Sequence, residues 1–252
     1  MPFPNVRLSN RPLHFIYICD CSGSMAAQGK MQALNQSIRQ SLPGMVKVAR
    51  DNPEARVLVR AVSFADHANW HIGEPTAVEQ LQWVDLQACG ITAMGKALEL
   101  VASQLNSPPM EERALPPVLV LISDGQPTDD FDTGLKKLMD QAWGQKAVRL
   151  AIALGHDANL DVLQAFIGHG HGDNAQMQCS MQGVSNSARR PLQASNATAL
   201  AQYIEWASTA VVDAASMPVS RTEGSATEAN IPLPDLPPTM IDHIDDVGPV
   251  VW

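Results

Sequence analysis

Apolar runs and polar breaks alternate along this chain in two rhythms. LHFIYIC, residues 13–19, is short, apolar and rich in aromatic and β-branched residues, as a strand buried on both faces should be. It ends on Asp20 and a polar turn. Met31, Leu34, Ile38 and Leu42 then recur at three, four and four, one stripe of a helix. Pro43 followed by Gly44 predicts a kink or an early stop there. ARVLVRAVSFA, residues 55–65, predicts a second strand, and the short step over Asp66 and His67 to an extended piece at 70–72 predicts an antiparallel hairpin. Residues 73–90 show no period and read as a long surface connection.

The rhythm resumes with Met94, Ala97, Val101 and Leu105 on one helical face, Thr92 at its start and Pro108 and Pro109 at its end. PPVLVLISDG, residues 116–125, is another buried strand running into an aspartate, Asp124. Leu135, Leu138, Met139 and Ala142 predict a helix, 147–154 a strand and 160–166 a helix. Leu200, Ile204, Ala207 and Val211 predict a last helix over 197–212. Apolar strands alternating with helices define an α/β fold with a mostly parallel sheet covered on both faces. Such sheets bind ligands beyond the carboxyl ends of their strands, where Asp20 and Asp124 stand.

Composition changes the picture at the C-terminal end. The formal net charge is −9, and −6 of it lies in residues 213–252, where seven acids face one base and six prolines follow position 216. Residues 1–212 are therefore read as the folded domain, and 213–252 as a Pro-rich acidic tail, disordered or docking on a partner. The tail ends in VGPVVW, an apolar tip that suggests docking through residues 250–252, or presentation of Asp242, Asp245 or Asp246 to a metal. The acidic balance argues against nucleic acid, which draws basic stripes. HFIYIC is too short for a secretory signal, and no run of ~18 apolar residues exists to span a membrane. Cys19, Cys21, Cys89 and Cys179 show no framework spacing and read as reduced thiols, so the expected compartment is cytoplasmic. Residues 168–190, rich in Gly, Ser, Asn and Gln, read as a loop inserted before the last strand and helix. His169, His171, Asp173 and Cys179 lie in it without a known zinc spacing.

FIYICDCSGSM, residues 15–25, carries the chemistry. It is not a nucleophile elbow, which needs G-x-S-x-G between strand and helix, nor a P-loop. An aspartyl phosphoryl carrier of the haloacid-dehalogenase type would have a second acid at position 22, where this chain has serine. A hard divalent cation fits better, because magnesium prefers oxygen ligands in octahedral geometry. Ser22 and Ser24 can converge on one ion, with Asp20, Asp124 and Thr92 supplying further oxygens.

D-C-S-G-S at 20–24, G-I-T at 90–92 and I-S-D-G at 122–125 resemble, in this order, the three loops of the metal-ion-dependent adhesion site (MIDAS) of von Willebrand factor A (vWA) domains. The resemblance implies a three-layer Rossmann-like fold with one antiparallel edge strand over roughly residues 11–212. It also implies Ser22, Ser24 and Thr92 as hydroxyl ligands of Mg2+ (Mn2+ or Ca2+ as substitutes), with Asp20 and Asp124 often acting through water. Cys21 inside the motif, the 168–190 loop and the tail depart from it. RPLHFIYICDCSGSM and YIEWAS look like the bacterial tellurite-resistance TerY-like branch, whose members are associated with a Ser/Thr protein kinase and a metal-dependent phosphatase. The expected function is thus non-catalytic, metal-dependent binding of a protein partner that contributes a carboxylate, with no nucleic acid or membrane partner. A metal-dependent hydrolase or phosphatase, and a scaffold with a vacant cup, are the alternatives.

Overall fold

The structure, a computed structural model, describes residues 10–168, 190–216, 234, 236 and 237. Its strands are β1 (Arg11–Asp20), β2 (Ala55–Phe64), β3 (Ala68–Ala77), β4 (Val118–Ser123), β5 (Val148–Leu154) and β6 (Leu192–Ala194). The helices are α1 (Lys30–Asp51), α2 (Met94–Gln104), α3 (Phe131–Met139), α4 (Ala142–Lys146), α5 (Leu160–Ile167), α6 (Ala197–Ser208) and α7 (Ala210–Ser216). The strands form one sheet in the order β3-β2-β1-β4-β5-β6, parallel except for the antiparallel β2–β3 pair at the edge. The expected mixed sheet and hairpin are both present.

Strand β1 sits in the middle, buried from its second residue onward. Alternation along it feeds two cores. Phe15, Tyr17 and Cys19 face the layer of α1, α6 and α7, while Ile16 and Ile18 face α2, α3 and α5. On the second side α2 and α3 approach closely through Gly95 and Gly134, where a Cβ on either would collide with the other segment's backbone.

Several boundaries differ from those expected, each for a local reason. Helix α1 runs through Pro43, which is exposed, so the carbonyl it leaves unpaired faces water while Met45 and Ala49 continue the buried stripe. Strand β3 extends to Ala77, and the stretch after it is anchored rather than superficial. Trp83 and Leu86 are buried because Asn35 of α1 accepts from Trp83 Nε1 (3.0 Å) and Leu86 N (2.8 Å) and donates to the Leu86 carbonyl (3.0 Å). The helix expected through Ala142 breaks into α3 and α4, and the last one divides at Thr209, with α7 continuing past 212 to Ser216. Leu236 is buried in the same core as α1, α6 and α7. Residues 169–189, with His169, His171, Asp173 and Cys179, and the tail tip lie outside the described residues. Among the described residues, Cys19, Cys21 and Cys89 are free thiols, and no helix is long and apolar enough to cross a membrane.

Candidate metal centre

Three loops meet at the carboxyl ends of β1 and β4. Asp20 closes β1 and is fully buried; its Oδ1 accepts from Ser22 N (2.8 Å) and its Oδ2 from Ser123 Oγ (2.5 Å). The turn after it places Ser22 Oγ 2.9 Å from Ser24 Oγ, and Ser24 Oγ donates to Asp124 Oδ1 at 2.7 Å. Asp20, Ser22, Ser24 and Asp124 thus form one connected polar cluster.

Thr92 reaches it from the second loop. Gly125 lies between: a Cβ there would stand 3.6 Å from Thr92 Oγ1 and 4.0 Å from Asp20 Oδ2, filling the cradle. The glycine of G-I-T has its own reason. Gly90 has φ +69°, a Cβ on it would strike the Asp66 carboxylate, and its carbonyl accepts from Gly23 N at 2.9 Å, tying the second loop to the first. Thr92 is not the cap of α2. The helix begins at Met94, and its first amides are held by a distant carboxylate, Asp129, which accepts from Gly95 N (2.9 Å) and Lys96 N (2.8 Å). Thr92 is fastened instead to the loop after β4: the Thr128 amide donates to its carbonyl at 2.9 Å, and its own amide donates to Thr128 Oγ1 at 3.2 Å.

The residue not foreseen is Lys30. Its ammonium makes a 2.7 Å ion pair with Asp124 Oδ2, with the lysine side chain 9% exposed and the aspartate fully covered. Gly155, after β5, lines its other side. Asp124 therefore has one oxygen on Ser24 and one on Lys30. Asp20 has no cation at hand among the described residues. Burial pushes its carboxyl up from the ordinary range, the Ser123 and Ser22 hydrogen bonds pull it back, and the Asp124 charge pushes it up again.

The donor set fits a hard divalent cation: three hydroxyls and two carboxylates around a cradle kept open by a glycine. Cys21, despite its place in the motif, is a buried thiol pushed up to about 12 by burial and then by Asp20, and its amide serves only to bond the Phe64 carbonyl. A thiol held protonated is a poor ligand.

The family model of the von Willebrand factor type A domain matches residues 16–188. The chain belongs to the von Willebrand factor type A domain family. No curated protein sequence matches it. Among solved structures, proximal thread matrix protein 1 from the mussel byssus is similar at 12% identity and TM-score 0.57, over 81% of this chain and 49% of that one. The pilus adhesin SpaC from Lactobacillus rhamnosus GG is similar at 14% identity and TM-score 0.56, over 79% of this chain and 30% of that one. Another structure of the mussel protein, with a zinc-occupied MIDAS motif, is 20% identical with a TM-score of 0.46, over 64% of this chain and 40% of that one. The chain spans less than half the length of each of these proteins, and likeness at such identities speaks to the fold.

Proposed function

We propose that this chain is a non-catalytic, metal-dependent protein-interaction module, holding Mg2+ through Asp20, Ser22, Ser24, Thr92 and Asp124. The observation that carries this is the Lys30–Asp124 pair. Two carboxylates and one ammonium give the cup a formal charge of −1, so a divalent ion leaves it at +1. With an ion held there, the net positive cup would attract an anionic ligand, and a carboxylate from a protein partner is the group that suits it. Ile91, beside Thr92, is 54% exposed and offers an apolar contact at the rim. Mn2+ or Ca2+ would substitute for magnesium in an all-oxygen site.

In finer detail, we propose that the module acts in the cytoplasm as a bacterial signalling or stress-response scaffold of the TerY-like type. Its partners would be a Ser/Thr kinase, a metal-dependent phosphatase, or both. The test is a pull-down from an extract of the source cells, with magnesium against EDTA and wild type against Ser22→Ala/Ser24→Ala. A partner retained only with metal and both serines supports the reading. A partner retained regardless moves the binding surface elsewhere. Phosphatase turnover by the purified chain, abolished by Asp20→Ala, would replace recognition with catalysis.

A further inference from the structure

At the opposite end of the same strands lies a cavity of about 540 Å³, whose polar lining includes His14, Arg56, Arg60 and Gln104. The parallel register pairs His14 with Leu58 and Ile16 with Arg60. Alternation then puts His14, Arg56 and Arg60 on the face of Ile16 and Val62, the face that α2 covers, at the end where α2 stops with Gln104.

Both basic side chains are inside. His14 is 6% exposed and Arg60 8%. Arg60 Nη1 donates to Gln104 Oε1 at 2.9 Å, and its guanidinium lies 5.4 Å from the centre of the Trp70 ring. Among the described residues its Nε has no hydrogen-bond partner, and neither has His14 Nε2. Among the described residues Arg60 forms no salt bridge; Glu74 attracts it only at longer range. Arg56 pairs loosely with Glu111 at 3.6 Å, both about half exposed at the rim. Among the described residues the buried guanidinium thus lacks a counter-ion and the buried ring nitrogen a partner, both costly, and an oxyanion entering the cavity that these residues line would relieve that cost. His14, held down to about 4 by burial and then by Arg60 and Arg56, is neutral at physiological pH and has one N–H to give.

We propose that this cavity binds a phosphate-type oxyanion carried by a small molecule, held by the Arg60 guanidinium, His14 Nε2 and the Gln104 amide NH2. Arginine's fork suits phosphate geometry, and the Gln104 oxygen is already committed to Arg60, leaving its NH2 to offer. The volume far exceeds that of one anion and falls in the range of small-molecule sites. Leu58, Pro75, Pro109 and Met110 line it with apolar surface for an organic group.

The test is calorimetry on the full chain in chloride buffer at constant ionic strength, with phenyl phosphate and orthophosphate as probes. One saturable site is expected, at least tenfold weaker in Arg60→Gln and unchanged in Ser22→Ala/Ser24→Ala. Tighter binding of phenyl phosphate assigns the site to an organic phosphate; equal binding assigns it to the free anion. Absence of saturation, or equal affinity in Arg60→Gln, overturns the proposal. Should Arg60→Gln fail to fold, wild-type crystals soaked in tungstate decide it. An anomalous peak between His14, Arg60 and Gln104 is expected, and a peak elsewhere or none at all overturns the proposal.

Discussion

Strand β1 begins beside one group of buried polar side chains and ends in another. At its carboxyl end, Asp20 and Asp124 sit among Ser22, Ser24, Ser123 and Lys30, and three of their four carboxylate oxygens accept from hydroxyls or the ammonium while the fourth accepts from a backbone amide. Near its start, His14 and Arg60 sit beside Gln104 and Trp70, and among the described residues each keeps one polar atom without a partner. The acidic end is held together by its own hydrogen bonds before any ion arrives. The basic end leaves unmet, among the described residues, groups that an anionic ligand would satisfy. Preorganisation and unmet demand are two different signs of a site, and this molecule shows one of each.

At the acidic end the largest effect is expected from Lys30→Met. It leaves Asp124 buried without its cation, and a loss of about 3–5 kcal/mol is expected in urea denaturation with EDTA. Magnesium should recover much of that loss, because the ion takes over the neutralising role. A loss under about 1 kcal/mol, or no recovery with magnesium, would mean that Lys30 does not balance the cup.

The basic side is probed by pH. His14 binds its proton less readily folded, at about 4, than unfolded, at 6.5, so the unfolded chain holds more protons between these values. Stability from the neutral ring is then full above pH 6.5 and lost as pH falls toward 4, by up to about 3 kcal/mol. The charged groups around it are Arg56 and Arg60 on β2 and Glu111 at the rim; Glu74 on β3 acts on Arg60. His14→Leu should flatten that window in phosphate-free buffer; an unchanged slope would remove His14 as its source.

Smaller effects separate the ends from their surroundings. Asp129→Ala removes the carboxylate that holds the first amides of α2, and should lower stability by about 1–2 kcal/mol and weaken metal binding through Thr92. Thermal melts with and without magnesium check both. Tyr17→Phe, midway along β1, loses the 2.8 Å contact to Ser208 and should cost about 1 kcal/mol without altering either ligand affinity. A change in either affinity would show that the two ends communicate through β1.

The strands and the order of the three loops were legible because apolar runs and short polar motifs are local signals. The antiparallel edge was legible from a two-residue step between extended segments. Lys30 was not, since a lysine opening a helix reads as a solvated charge, and its partner lies 94 positions away. Asn35 was hidden for the same reason: one amide on a helix stripe does not announce that it fastens Trp83 and Leu86. Thr92 looked like a cap because Asp129, which does that work, comes 35 residues after the helix has started. His14 and Arg60 sit inside runs read only as buried strands, and pairing β1 with β2 is what brings them together.

The measurement that bears most directly on the metal centre is magnesium calorimetry on wild type and Ser22→Ala/Ser24→Ala at neutral pH. One saturable site in the wild type, weakened at least tenfold in the double variant while its fold is retained, is the expected result. Equal binding by both, or none by the wild type, would contradict the assignment of these oxygens to a metal.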